Sequence, residues 1–172
     1  MDWLLILLRI AHVGGAMAWF GGALVGSLFL FPTAHALGPA GAPFMDHLTK
    51  RRRIGAYFPL VSAVTILAGL ALYWRDSNGL DGDWIASPTG LAFTIGGLAA
   101  IVAFVGGMVL IGPGAAAQAA VQREMAASGS SAPSAEQRRR LEWAERRLLL
   151  ASRLDLPLLL LAGLAMAVAR YL

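Results

Sequence analysis

Cysteine is absent from the 172 residues, which removes disulfides, thiolate metal sites, iron–sulfur clusters and cysteine nucleophiles together. Charge is scarce: Asp, Glu, Lys and Arg make up 14% of the chain, against about one-quarter in a soluble domain. The sequence also holds no phosphate loop, no paired-histidine zinc motif and no nucleophile elbow. Any cofactor must therefore use ligands other than thiolate. What is there is apolar: 58% of the residues are hydrophobic and the mean hydropathy is +0.65. The formal charge is +4, but the basic residues flank apolar runs instead of forming a stripe on a soluble module. The expected partner is a lipid bilayer, not nucleic acid.

Four runs are long enough to cross a hydrocarbon core, which takes about 20 apolar residues. They cover about 3–31, 57–74, 91–111 and 148–171. In lipid every backbone N–H and C=O must find a partner within the segment, and these runs are about twice the length of a barrel strand and lack its alternation. The expected fold class is all-α, one four-helix membrane domain over 1–172. Ala34-His35-Ala36 resembles a signal-peptidase site, but the run before it is too long for a signal core and opens with Asp2 instead of a basic cluster. The first run is therefore expected to stay as a span.

Lys50, Arg51, Arg52 and Arg53 lie in the first loop, and Arg123, Arg138, Arg139, Arg140, Arg146, Arg147 and Arg153 in or beside the third. The excess of basic residues on one side of a four-span chain places both of these loops in the cytoplasm and both termini outside, in a bacterial-type inner membrane. The third loop, 112–147, is the largest segment outside the bilayer. Gly112-Pro113-Gly114 is expected to break the third helix, and alanine-rich residues 115–127 to resume it. Gly129 to Pro133 reads as a hinge, and Ser134 with Gln137 has the spacing of a capping box that opens the helix feeding the last span. Asp155, in the first turns of that span, calls for a basic partner.

His12 lies deep in a span, roughly 14 Å below its start at 1.5 Å per residue. Arg9, Ala16 and Trp19 stand three, four and seven residues from it and share its side of the helix. Neutral imidazole is a common ligand of metals and of haem iron. His12 is thus either a hydrogen-bonded packing residue or a cofactor or proton-handling residue. Gly22 and Gly26 form a GxxxG pair suited to close helix approach, and so to a homo-oligomer. His35 lies 23 residues beyond His12, about 34 Å along a continuous helix, too far to share one metal. Met17 and Met166 are the possible thioether ligands, although methionine in an apolar helix more often fills gaps.

His12 followed by Trp19-Phe20-Gly21-Gly22, the basic entry Arg51-Arg52-Arg53 with Pro59 and Gly69 downstream, and Arg153-Leu154-Asp155-Leu156-Pro157 together resemble the HemJ-type protoporphyrinogen oxidases and the wider group of small four-helix membrane proteins that includes CopD-like domains. The resemblance implies haem b with His12 as an axial ligand of the iron, Arg9 or Trp19 shaping the pocket and, in a true oxidase, oxidation of protoporphyrinogen IX. The chain departs from the family pattern at Leu28 to Pro32, which is uncharged. The alternative is a non-enzymatic membrane module, either a partner in a larger complex or a CopD-like copper handler using Met17 and Met166 with His12. Thioether and imidazole suit Cu(I).

Overall fold

A computed structural model describes residues 1–130 and 132–172, with the side chains of Pro39 and Ala42 left aside. Ser131 of the expected hinge lies outside the described residues. Among these residues the secondary structure is helix and turn, with no strand. Four helices are long and apolar enough to cross a membrane: α1 (Trp3–Ala36), α2 (Ile54–Asp76), α3 (Pro88–Ser128) and α4 (Ala135–Ala169). The chain is a multi-pass membrane protein by this measure.

Its burial pattern fits lipid as the solvent. The core residues are mostly small, including Ala23, Ala68, Ala92, Ala99, Ala103 and Ala162. Leu4, Leu7, Ile10, Leu60, Leu67, Leu98 and Leu164 are all more than half exposed. In water such an apolar exterior would drive aggregation; against acyl chains it costs nothing, and small residues let the backbones close up inside.

Two helices widen before a proline. In α1 the turn Gly26–Leu30 is π-helical and is followed by Pro32. In α3 the turn Gly107–Ile111 is π-helical and Pro113 follows at the start of the next α-helical stretch. The expected break at Gly112-Pro113-Gly114 is therefore absent, and α3 runs on to Ser128. The reason is local. Pro113 has no N–H for the carbonyl one turn back, and such a loss breaks or kinks a helix when the carbonyl stays bare. Here the Arg147 guanidinium donates to the oxygen of Val109, and the π turn shifts the ladder so that the proline ring is accommodated.

The chain divides into two compact units. Unit 1 is Met1–Phe104 with Leu156–Leu172. Its core gathers Trp19, Ala23, Ala103 and Leu159, with Phe20, Phe58, Val61, Ile66, Phe104, Leu156 and Leu158 packed against them. At its rim the Asp2 carboxylate caps α1 by accepting from the Leu5 amide at 3.1 Å and also takes the Arg75 guanidinium at the end of α2. Between α2 and α3, Asp81 accepts from the amides of Asp83 at 2.8 Å and Trp84 at 3.1 Å. This caps the short helix Gly82–Ala86.

Unit 2, Val105–Asp155, is a helical hairpin. Gly129, at φ +65°, ends the first arm in the left-handed conformation that glycine adopts without strain. The expected capping box opens the second arm: the Ser134 amide donates to Gln137 Oε1 at 2.9 Å and the Gln137 amide to Ser134 Oγ at 3.2 Å. Val121 and Ala144 are fully buried between the arms, and Arg140 reaches both carboxylate oxygens of Glu124, at 2.9 and 3.1 Å. Within this unit Asp155 makes no ion pair among the described residues.

Candidate functional site

The deepest ionisable side chain of α1 meets α2 at a place where both helices give way. The His12 imidazole is half-buried, and its Nδ1 stands 2.8 Å from the carbonyl oxygen of Thr65. A carbonyl only accepts, so Nδ1 carries a proton, and in the neutral imidazole the lone pair falls to Nε2. Thr65 is itself buried, and its hydroxyl is spent on Val61 O at 2.8 Å within its own helix. The ring rests on Gly69: a Cβ there would stand 2.7 Å from Cε1 and 2.8 Å from Nδ1, closer than any real contact. One turn along, Gly15 of α1 returns the arrangement, because a Cβ on it would overlap the Thr65 hydroxyl. Further along the same interface the Tyr57 hydroxyl donates to the Ala18 carbonyl at 3.0 Å.

Nε2 makes no hydrogen bond among the described residues, yet it is not sealed from the surface of the chain. The imidazole is therefore oriented by one nitrogen and open at the other. Hydrogen bonding of the remote ring nitrogen to a backbone carbonyl is the arrangement that fixes the tautomer and ring orientation of a ligating histidine. No group of three His, Asp or Glu side chains close enough to hold a metal ion occurs among the described residues. A single imidazole falls short of a four-coordinate zinc site but suffices as the protein ligand of iron that brings its own macrocycle. The donor set at His12 thus fits one axial position of a haem.

The other expected site residues are dispersed. Arg9, one turn earlier on the same stripe, is exposed. Trp19 is 5% exposed and belongs to the core beside Ala23, Ala103 and Leu159, so it anchors α1. Met17 is 72% exposed; five residues from His12, it points about 140° away around the helix. Met166 is spent elsewhere, its Cγ 2.9 Å from where a Cβ on Gly96 would be. His35 and His47 are exposed near the ends of their helical segments.

Gly22 and Gly26 are both occupied within the chain. A Cβ on Gly22 would meet the rings of Tyr57 and Phe58 at 3.3 Å, and one on Gly26 the Phe31 ring at 3.0 Å. Thr65 escapes notice in the sequence, and Gly69 figures there only in a Pro/Gly pattern and not as the seat of His12, although a signal for this face exists. Ser62, Thr65 and Ala68 are the buried residues of α2, and their three-residue spacing marks the small face that α1 must meet. Compared with protein-family models, curated proteins and solved structures, the chain matches none.

Proposed function

We propose that the chain is a haem-b-binding membrane protein of the HemJ-like group, with His12 Nε2 as an axial ligand of the iron. The observation that carries this reading is the bond between His12 Nδ1 and the Thr65 carbonyl, which leaves the lone pair on the nitrogen that reaches the surface. Arg9, on the same stripe and exposed, is available to a carboxylate of the bound group. Such a haem would supply one-electron chemistry; in the oxidation of a porphyrinogen, the reaction the family resemblance implies, it would relay the six electrons to an external electron acceptor, with six protons released. In this reading both termini lie outside, the basic first and third loops lie in the cytoplasm, and the membrane is a bacterial-type inner membrane.

A second reading has its own support. The seating of the ring on Gly69 and the Gly15–Thr65 contact form a close helix crossing that would serve a non-enzymatic module with no cofactor. Absorption spectra of detergent-purified protein, oxidised and then dithionite-reduced, separate the two. The haem reading expects a Soret band with reduced α and β bands, lost in His12→Ala. A full Soret band in His12→Ala would refute ligation by this residue, and a flat spectrum after expression with ample haem would favour the packing role.

A further inference from the structure

Most arginines of unit 2 are engaged. Arg123 donates to Ala119 O at 3.2 Å and Arg138 to Pro133 O at 3.0 Å. Arg139 pairs with Glu136 and Arg140 with Glu124. Arg147 donates to Val109 O and lies 4.6 Å over the Trp143 ring. Arg146 and Arg153 differ: both are exposed, and among the described residues neither guanidinium donates a hydrogen bond or meets a carboxylate.

Seven residues separate the two, which puts them on one stripe of α4, within about 20° of each other and roughly 10 Å apart along the axis. Long side chains on a helix lean toward its N-terminus, so Arg153 leans back toward Arg146. The exposed residues change character at this place. Before Trp143 they are Glu136, Arg138, Arg139 and Glu142; from Leu149 and Leu150 onward they include Leu154, Leu160, Leu161 and Leu164. The boundary between water and hydrocarbon therefore falls in the window that holds both arginines, and Trp143, 45% exposed, stands at the level where interfacial aromatic residues collect. A headgroup layer is about 5–8 Å deep on each side of the hydrocarbon; Arg146 stands at its level, and Arg153, about two turns deeper, reaches it by extending its long side chain along the helix toward the water. Glu142 and Glu145 precede Arg146 and lie toward the water.

We propose that Arg146 and Arg153 together bind the phosphate of an anionic phospholipid, with an acyl chain lying along Leu150 and Leu154. A guanidinium presents a planar fork of donors that matches two phosphate oxygens. A zwitterionic headgroup offers the same phosphate but brings its own cation, so the preference is for a lipid of net negative charge. The site depends on α4 crossing a bilayer and is independent of any haem.

The full chain, reconstituted in phosphatidylcholine vesicles, is compared with spin-labelled phosphatidylglycerol and spin-labelled phosphatidylcholine as probes, reading the motionally restricted fraction. Wild type should favour phosphatidylglycerol several-fold, up to about fivefold per arginine. R146Q/R153Q should bring the ratio close to one, and R138Q/R139Q, farther out on the same helix, should leave it high. Loss of preference to the same extent in both double variants would reduce the effect to bulk charge and overturn the site. A wild-type chain that does not discriminate between the two probes at low salt would overturn it with no variant needed.

Discussion

Gly69→Ala tests the histidine seat in a single methyl group. The added Cβ would stand 2.7 Å from His12 Cε1 and 2.8 Å from Nδ1, inside the roughly 3.4 Å of an ordinary contact. Either the imidazole swings away, losing its bond to Thr65 O, or α1 and α2 move apart along the whole crossing. Overpacking of this kind costs about 1–3 kcal/mol, and the lost hydrogen bond about 1 kcal/mol more. Alanine repays at most about 1 kcal/mol through its helix propensity. The expected net loss is about 1–3 kcal/mol. The chain contains its own control. Leu67-Ala68-Gly69-Leu70-Ala71 recurs letter for letter as Leu161-Ala162-Gly163-Leu164-Ala165, and a Cβ on Gly163 would meet nothing within 4 Å. Gly163→Ala should therefore be neutral or slightly stabilising. Thermal unfolding in one detergent, followed by tryptophan fluorescence and far-ultraviolet circular dichroism, compares the pair. If both variants melt together with the wild type, the contact of His12 with Gly69 does not exist as described.

Two further expectations concern the ends of the fold. The Arg75 guanidinium, aided by the Leu5 amide, holds the Asp2 carboxyl below the usual carboxylate range. A depressed folded-state value contributes stability above about pH 4 that is lost as the pH falls through the lower folded value. Hydrogen exchange at the Leu5 amide should accelerate over that acid window in the wild type, whereas Asp2→Ala should exchange fast throughout; a pH-independent protection of Leu5 in the wild type would contradict the pairing. In unit 2, Arg147→Ala strips the donor from Val109 O and should cost about 1 kcal/mol. In a Pro113→Ala background the new N–H can serve the helix ladder, so the cost should shrink, and equal melting shifts in both backgrounds would disprove the compensation.

The four spans were legible because a bilayer demands about 20 apolar residues in a row, a signal that needs no knowledge of neighbours. The Ser134 and Gln137 cap was legible for the same reason, since its two hydrogen bonds close within one turn. What escaped depends on other helices. Gly112-Pro113-Gly114 reads as a stop until Arg147, 34 positions later in the chain, supplies the missing donor. Gly22 announces room for a neighbour without saying which, and Tyr57 and Phe58 of α2 take it. The repeated pentapeptide puts the point most sharply: identical letters surround Gly69 and Gly163, and only the register of α1 against α2 makes one of them a seat for a histidine.

The wide turns at Gly26–Leu30 and Gly107–Ile111 also act as phase shifters. A π turn carries about one residue more than an α turn, so everything after it is rotated by about 100° relative to an unbroken α-helix. Deleting any one residue of 107–111 would restore an ordinary turn and swing Gly114 about a quarter of the way round, off Leu148 and Ala144. The membrane segment would keep its hydropathy while the hairpin beyond it lost its partner face. One extra residue in the turn thus decides which face the 112–128 stretch turns toward the second arm of the hairpin.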